Sequence, residues 1–535
     1  MNEKLELSKK QKIYDRSVFL GLALAACVLT FLVCPFSPIY RYNFEPDELC
    51  YHTVSLGWLR GKIPYRDLFD HKGPLTYIIY MLGLLLTGRN AIGIMFVFMA
   101  INTAIFIMIY RINRLCFDQA HSLCSTILLL TFFFVKKQSL YASGTKPDHF
   151  ILLILLVSEF IYIRGIKRYR LSRQAGNPSS CDSLESDASK DSASELPAKC
   201  FTTVFSSLEM LLLGLGCGVV FMIKLNACIY YLLFIGFYLL WLLIRKNWKS
   251  FFASCGLFLL GIGAVSAPFV IYFSYHHALS DFFFAYFQFN SAYAKDGGLH
   301  LLFSRPFIDP ENSLIIILLF LLLLLSTFVF LNAKGSKHTR TILVLCGAVT
   351  YGFIAFQEVF IYTFVLLIPL YIWGCAVLVD LLFAFLSLKA MRIATCALSI
   401  FILFNFTLFH LVLYPAIPKE ISPEEQIITD YIEAHPDSTT LYFFNLCFIF
   451  SPNSMETTPD FRYFFMPRSG TEEIYTSQAD YIRNQIPDII CFYSTSIDDE
   501  YMKRLDDFFA ENEYSLLCVQ KNDEYHVYVR SSTLT

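Results

Sequence analysis

Apolar stretches long enough to cross a lipid bilayer recur through the first three quarters of this 535-residue chain. A crossing helix needs about 20 mainly apolar residues, since it rises about 1.5 Å per residue through about 30 Å of hydrocarbon. About eleven spans are predicted, at residues 17–36, 91–110, 122–140, 148–163, 203–223, 225–244, 250–273, 312–332, 341–356, 360–380 and 393–413. The sequence therefore predicts an α-helical polytopic membrane protein.

The composition excludes most soluble classes of protein. Hydrophobic residues make up 56% and charged residues 16% of the chain, whereas an ordinary globular domain is about a quarter charged. Disorder and nucleic-acid binding are excluded for the chain as a whole. The charge is distributed unevenly, because residues 414–535 hold 8 Lys and Arg against 21 Asp and Glu, while residues 1–413 hold 34 against 23. The two parts are expected to face different solvents.

Basic residues set the predicted orientation of the spans. Residues 1–16 hold five Lys and Arg, and no small-residue cleavage site follows the first span, so we expect a retained anchor and a cytoplasmic N-terminus. Alternation of the spans then places residues 414–535 outside. The alternation of eleven spans requires that the apolar segment 73–88 does not cross the membrane, and we expect it to form an interfacial or half-inserted helix. The pattern predicts a multi-pass protein of the plasma (inner) membrane.

Two segments differ in composition from the predicted transmembrane domain, residues 17–413. Residues 174–199 are rich in Ser and Asp and almost free of aliphatic side chains, which predicts a disordered cytoplasmic linker. Residues 414–535 alternate helical spacing with β-rich runs at 440–446, 488–494, 515–519 and 525–529. This tail is predicted to form a small extracytoplasmic α/β domain.

The first external loop, residues 37–90, carries the densest group of ionisable residues. Such residues are costly at membrane depth, so a cluster beside the bilayer is a functional candidate. Asp47 and Glu48 follow Pro46 and begin a helical pattern. Taken alone, these two acids are explained most simply as helix capping, which contributes only about 0.3–1 kcal/mol.

The second half of the same loop favours a functional interpretation. Four ionisable residues come within six positions: Asp67, Asp70, His71 and Lys72. They run into Gly73-Pro74 and an aromatic segment, which a loop that is merely solvated would not need. The loop is therefore predicted to hold the catalytic motifs, together with interfacial helices.

A further candidate group lies between two spans, in the sequence KKQSLYASGTKPDHF. Its ionisable members are Lys136, Lys137, Lys146, Asp148 and His149. Asp148 begins an apolar helix, and capping explains it almost as well as function does. Lys224 interrupts another apolar run, where it either snorkels to the interface or binds an anionic group. Weaker candidates at span ends are His276, His277, Gln357 and Glu358.

Carboxylates, a His and several Lys on one face of a membrane bundle suit a reaction between a lipid-linked phosphate and a nucleophile that arrives from outside. A carboxylate can accept the proton of the nucleophile, while Lys or a divalent cation offsets charge on the departing phosphate.

The order of these motifs resembles that of the polytopic GT-C glycosyltransferases. The bacterial branch in question is described as RgtA/B/C/D-like and is related to protein O-mannosyltransferases and the lipid A aminoarabinose transferase. The matching segments are FEPDE, GKIPYRDLFDHKGPLTYIIYMLGLLLTG, SGTKPDHFILLILL, IKLNACIYYL and the acidic tail. The ordered set covers about residues 15–380, and it is more specific than any single motif.

The resemblance implies an activity and roles for particular residues. Members of the family transfer a sugar from a polyprenyl-phosphate donor to an acceptor on the outer face, usually with inversion. Carried over, the pattern makes Asp47 the catalytic base and Glu48 its acidic neighbour, with Lys72 and Lys224 near the donor phosphate. It also implies a divalent metal cation at Glu48, His71 and Asp148, although this sequence has His71 where the family has an acid. The acceptor would be an envelope glycan, lipid or protein.

Other functions fit the same location. A flippase or transporter of envelope precursors would show internal repeats and polar groups at mid-membrane, and neither is evident in the sequence. A ligase or polymerase of lipid-linked precursors differs only in its donor chemistry. A non-catalytic membrane scaffold would leave the acids of the first loop dispensable.

Overall fold

The computed structural model describes residues 2–38, 46–88, 91–134, 145–175 and 203–293, with shorter parts of the chain between 366 and 530. These residues form two compact units. The first unit contains the described residues up to Thr30, those within Met99–Ala267 and those between 366 and 397. The second unit contains Phe31–Phe98, the described residues from Pro268 to Tyr293 and the described C-terminal residues.

Helices dominate the described residues. They are α1 (Asn2–Val33), α2 (Pro46–Leu59), α3 (Pro74–Leu86), α4 (Ile92–Arg114), α5 (Gln119–Phe134), α6 (Pro147–Ala175), α7 (Ser207–Phe221), α8 (Ile229–Ile244), α9 (Trp248–Tyr275), α10 (Leu279–Phe283) and α11 (Asn290–Tyr293). A 3-10 turn, Leu225–Cys228, precedes α8, and a π-helical segment, Phe284–Phe289, joins α10 to α11.

Five helical stretches in the described part of the chain are long and apolar enough to cross a membrane. They are Ile13–Leu32, Ile92–Arg114, Pro147–Tyr169, Leu225–Ile244 and Trp248–Tyr275. Each coincides with a predicted span, so the prediction of a multi-pass helical membrane protein is confirmed. The predicted spans 312–332 and 341–356, most of 360–380 and 393–413, and the linker beyond Ala175 lie outside the described residues.

Among the described residues, three apolar helical stretches are shorter than a full crossing: Pro74–Leu86, Gln119–Leu130 in the predicted span 122–140, and Ser207–Phe221. α3 has 13 residues and rises about 20 Å, against a hydrocarbon core of about 30 Å; this length suits the predicted interfacial helix at 73–88. α7 has 15 residues and is shorter than the predicted span 203–223. Its start is fixed by a capping box, in which Ser206 and Glu209 bond each other's main-chain amides.

Within the first unit, hydrogen bonds join α6 to the part of the chain that follows it. Near the C-terminal end of α6, the Arg168 guanidinium donates to both Glu209 carboxylate oxygens at 2.9 and 2.7 Å, and to the Val204 carbonyl at 3.2 Å. Near the middle, the hydroxyls of Ser158 and Tyr231 lie 2.5 Å apart. These bonds fix α6 against the start of α7 and against α8.

Glycines allow α7 and α9 to approach closely in the first unit. A Cβ atom on Gly214 would lie 2.2 Å from the Phe258 carbonyl oxygen, and one on Gly261 would lie 2.5 Å from the Leu215 amide nitrogen. Only glycine fits at such a main-chain contact, and close small-residue contacts are a common way to associate helices in lipid.

The C-terminal residues contain a four-stranded mixed sheet. Its strands are β1 (Leu441–Phe444), β2 (Ile489–Tyr493), β3 (Tyr514–Gln520) and β4 (Tyr525–Arg530), in the order β1-β2-β4-β3. β1 and β2 are parallel, whereas β4 is antiparallel to both neighbours. Each strand falls on one of the predicted β-rich runs, so the predicted sheet of the tail is confirmed.

Candidate functional site

The acidic pair of the first loop lies in the first turn of α2, which packs on α3 in the second unit. The Ser55 hydroxyl donates to the Tyr77 carbonyl of α3 at 3.0 Å. Glu48 is completely buried, whereas Asp47 is half-buried. Residues one turn apart share a helix face, so Asp47 lies on the same face of α2 as Tyr51.

The loop between α2 and α3 begins with a braced turn. Tyr65 has a φ of 71°, and its amide donates to the Leu68 carbonyl at 2.8 Å. Asp67 accepts from the Ile63 amide at 2.7 Å and from the Arg66 guanidinium at 2.7 and 2.9 Å. Partial burial acts to raise the pKa of Asp67, but these hydrogen bonds and the Arg66 charge outweigh it and hold the pKa below its ordinary value. Asp67 therefore stays ionised and stabilises the turn.

Asp70, His71 and Lys72 form a connected cluster after that turn. Asp70 is 2% exposed and accepts from the Tyr77 hydroxyl at 2.9 Å and the His71 amide at 2.7 Å. The His71 Nδ1 atom lies 3.4 Å from Asp70 Oδ1, and Lys72 Nζ lies 2.7 Å from His71 Nε2. An ammonium can only donate, so Nε2 is the acceptor and the ring proton is assigned to Nδ1 on the Asp70 side.

The Lys72 ammonium also lies 5.7 Å from the centre of the Tyr51 ring, in a cation–π arrangement. Tyr51 is the residue that shares a face of α2 with Asp47. Lys72 therefore contacts the aromatic side chain that lies one helical turn from the predicted base.

The main chain of this cluster is held by residues that the sequence did not single out. The Tyr65 hydroxyl donates to the Lys72 carbonyl at 2.7 Å, and Asn290 Nδ2 donates to the His71 carbonyl at 2.7 Å. Burial is the main reason that the pKa of the Tyr65 phenol is raised well above its ordinary value, and electrostatic interactions with Tyr286 and Asp70 add to the shift. Tyr65 therefore keeps the proton that it donates.

The other predicted group lies in the first unit, at the start of α6. Asp148 is in the first turn of α6, and its Oδ1 accepts from Lys224 Nζ at 2.8 Å. The side chains are 5% and 20% exposed. His149 Nδ1 lies 3.3 Å from the Lys146 carbonyl, and both residues are buried. Lys224 is therefore an ion-pair partner of Asp148, rather than a lysine that simply snorkels. Lys136 and Lys137 lie outside the described residues.

Comparison with known proteins identifies the fold. Residues 71–174 match the family described as Dolichyl-phosphate-mannose-protein mannosyltransferase. The crystal structure of ArnT from Cupriavidus metallidurans bound to undecaprenyl phosphate is similar with a TM-score of 0.59, at 11% identity, over 96% of this chain and 97% of that chain. The chain has the GT-C glycosyltransferase fold.

Two further structures and one negative result complete the comparison. The apo state of the same ArnT gives a TM-score of 0.59 at 11% identity, over 97% of this chain and 98% of that chain. The archaeal oligosaccharyltransferase AglB from Archaeoglobus fulgidus, in complex with an inhibitory peptide and a dolichol-phosphate, gives 0.47 at 11% identity, over 90% and 70%. No curated protein sequence matches the chain. The resemblance to GT-C glycosyltransferases that the motifs suggested is confirmed.

Within the GT-C fold, the predicted site residues form two groups. The structure brings Asp70, His71 and Lys72 into direct contact in the second unit, and it pairs Asp148 with Lys224 in the first. Among the described residues, no three His, Cys, Asp or Glu side chains come together as metal ligands. A cation at Glu48, His71 and Asp148 stays a prediction. In this structure His71 Nε2 lies 2.7 Å from the Lys72 ammonium.

Proposed function

We propose that this protein is a membrane glycosyltransferase that moves a sugar from a polyprenyl-phosphate donor to an extracytoplasmic acceptor in the cell envelope. The observation that carries the proposal is the GT-C fold, which the chain shares over 96% of its length with a protein whose structure holds undecaprenyl phosphate. The matched family segment begins at His71, inside the cluster described above. A glycan, a lipid or a protein could serve as acceptor.

In the proposed reaction, Asp47 accepts the proton of the acceptor hydroxyl. The hydroxyl oxygen bonds to the anomeric carbon of the sugar as the bond from that carbon to the phosphate oxygen breaks, with inversion. The proton passes from Asp47 to water, and polyprenyl phosphate is the leaving group. Glu48 is the acidic neighbour of the base, and it is completely buried in the first turn of α2.

Lysine side chains supply positive charge to the phosphate in this proposal. Lys72 and Lys224 are the proposed ligands; in the structure the Lys72 ammonium lies 2.7 Å from His71 Nε2, and the Lys224 ammonium lies 2.8 Å from Asp148 Oδ1. Preorganised charges of this kind stabilise the transition state strongly, because they need little reorganisation during the reaction.

Sugar transfer by the purified full-length protein tests the proposal. The protein is supplied in detergent with a panel of short polyprenyl-phosphate sugars and a crude envelope acceptor. We expect Asp47→Asn to lose about 10²–10⁴-fold in turnover, while Glu511→Gln, which removes an exposed carboxylate of the tail, keeps wild-type activity. Full turnover by Asp47→Asn would refute its role as base. If vesicles that contain the protein move lipid-linked precursors across their membrane and no donor is consumed, a flippase would be favoured.

The proposed orientation places the N-terminus in the cytoplasm and the tail outside the plasma membrane. Protease added to spheroplasts should then remove an epitope tag at the C-terminus and leave one at the N-terminus intact. The reverse pattern would overturn the orientation without affecting the fold.

A further inference from the structure

A short C-terminal segment, Arg462–Phe464, contacts the loop that carries the Asp70 to Lys72 cluster in the second unit. The Phe69 amide donates to the Arg462 carbonyl at 2.7 Å. The Tyr463 ring packs on the Phe69 ring, with centroids 5.1 Å apart. Tyr463 and Phe464 are buried. We call Arg462–Phe464 the docking segment.

The docking segment supplies one of the bonds that hold the main chain of the cluster. Phe69 immediately precedes Asp70, and its amide is bonded to the docking segment. The His71 carbonyl is held by Asn290 and the Lys72 carbonyl by Tyr65. The bond at Phe69 comes from the C-terminal part of the chain.

A charged pair holds the docking segment in place. Arg462 Nη1 lies 2.9 Å from Asp281 Oδ1, and the two side chains are 29% and 20% exposed. The Arg462 guanidinium also lies 5.2 Å from the centre of the Tyr463 ring. Asp281 belongs to α10, which continues through the π-helical segment to Asn290. Arg462 therefore links the two chain segments that hold the main chain on either side of Asp70.

We infer that the C-terminal part of the chain positions the catalytic loop, with Arg462 and Asp281 acting as a latch on the docking segment. The partial exposure of this ion pair means that solvent screens it, so it contributes little to global stability. Its position next to the Phe69 amide lets it affect the local geometry of His71 and Lys72 strongly. Arg462 is a positioning residue in this scheme, because none of its contacts described above is with the proposed reacting groups.

The latch is tested in the full-length protein with charge-neutralising and charge-reversed variants. The variants are Arg462→Gln, Asp281→Asn, their combination, and Arg462→Asp combined with Asp281→Arg. Asp507→Asn, which removes an exposed tail carboxylate, is the matched control. Hydrogen exchange is followed in peptides that cover residues 67–72 and, to verify folding, in peptides from β3 and β4.

We expect both single variants to speed exchange in 67–72 by about the same factor, with no change in β3 and β4. Exchange in the combined neutral variant should be no faster than in either single variant, because both substitutions break the same contact between Arg462 and Asp281. The charge-reversed pair should restore slow exchange. Unchanged exchange in 67–72 in both single variants would overturn the latch, as would a charge-reversed pair that exchanges as fast as the neutral one.

The kinetic consequence rests on the proposed function and is measured separately. The single variants should lower kcat/KM about tenfold, because small displacements of a positioned group are costly to catalysis. The loss should appear in kcat as well as in the KM for the donor, since Lys72 is the proposed phosphate ligand in the transition state too, and the charge-reversed pair should recover it. If the wild type itself transfers no sugar, the proposed function fails, while the exchange experiment still decides the latch.

Discussion

The ion pair between Lys224 and Asp148 predicts an asymmetric response to removal of either charge. Lys224→Met would leave a carboxylate that is only 5% exposed, in the first turn of α6. Asp148→Asn would leave an ammonium whose side chain is 20% exposed and whose flexible stem can carry it to water. We therefore expect Lys224→Met to be the more destabilising substitution.

The magnitude follows from the burial of the two groups. Loss of one partner from a fully buried ion pair costs about 3–5 kcal/mol. The partial positive charge at the N-terminus of α6 would still stabilise the Asp148 carboxylate by about 0.3–1 kcal/mol after Lys224 is removed. The partial exposure of Lys224 reduces the cost of losing the pair further. We expect about 2–3 kcal/mol for Lys224→Met and about 1 kcal/mol for Asp148→Asn.

A double-mutant cycle in bicelles, with the free energy of unfolding measured by steric trapping, tests these values. The double variant should cost less than the sum of the single variants by about 1 kcal/mol or more. Lys249→Met, which removes an exposed lysine, should change the free energy of unfolding by less than about 0.5 kcal/mol. A larger cost for Asp148→Asn than for Lys224→Met, or additive single variants, would refute the reasoning.

Three further predictions concern packing, pH and the buried carboxylate. Gly214→Ala should destabilise the protein by about 2 kcal/mol or more in thermal unfolding, because a Cβ there meets a main-chain oxygen of α9 at 2.2 Å; Gly256→Ala, with open space around its Cβ, should not. Burial is the main cause, and the charge of a nearby arginine the second, of a pKa of His52 that is lowered from 6.5 to about 4. The unfolded state therefore binds more protons than the folded state between pH 6.5 and 4. The free energy of unfolding should fall by up to about 3 kcal/mol as the pH drops through that window. His52→Phe should lack this fall, and equal pH profiles would contradict the assignment. Tyr77→Phe should cost about 1.5–3 kcal/mol, because buried Asp70 loses a hydrogen bond; a change below about 0.5 kcal/mol in chemical unfolding would show that this bond is not needed.

The fold and part of the site follow from local sequence signals. Long apolar runs predict the membrane helices, because only helices satisfy their own main-chain groups in lipid. The alternating run at 525–529 predicts a strand, and β4 is found there. Asp70, His71 and Lys72 are neighbours along the chain, so a cluster was predictable from their spacing.

Contacts between distant parts of the chain could not be predicted in the same way. Asn290 bonds the His71 carbonyl across 219 positions, and nothing in its local sequence marks it. Asp148 and Lys224 each appeared as a separate candidate, but their pairing across 76 positions depends on how α6 packs beside the 3-10 turn. The role of Asp67 in bracing a turn also depends on geometry, since in the sequence it is simply one of four closely spaced ionisable residues that favour a functional interpretation.

The bonds from Arg168 to Glu209 and Val204 have a practical consequence for residues 176–202, which connect α6 to α7. Because the two ends of this connection are already held together, lengthening it adds only the entropy of closing a longer loop, about 0.6 kcal/mol for each doubling. A fluorescent protein or an affinity tag inserted between residues 176 and 202 should therefore leave α6 and α7 in place, and it would test the predicted cytoplasmic location of this connection.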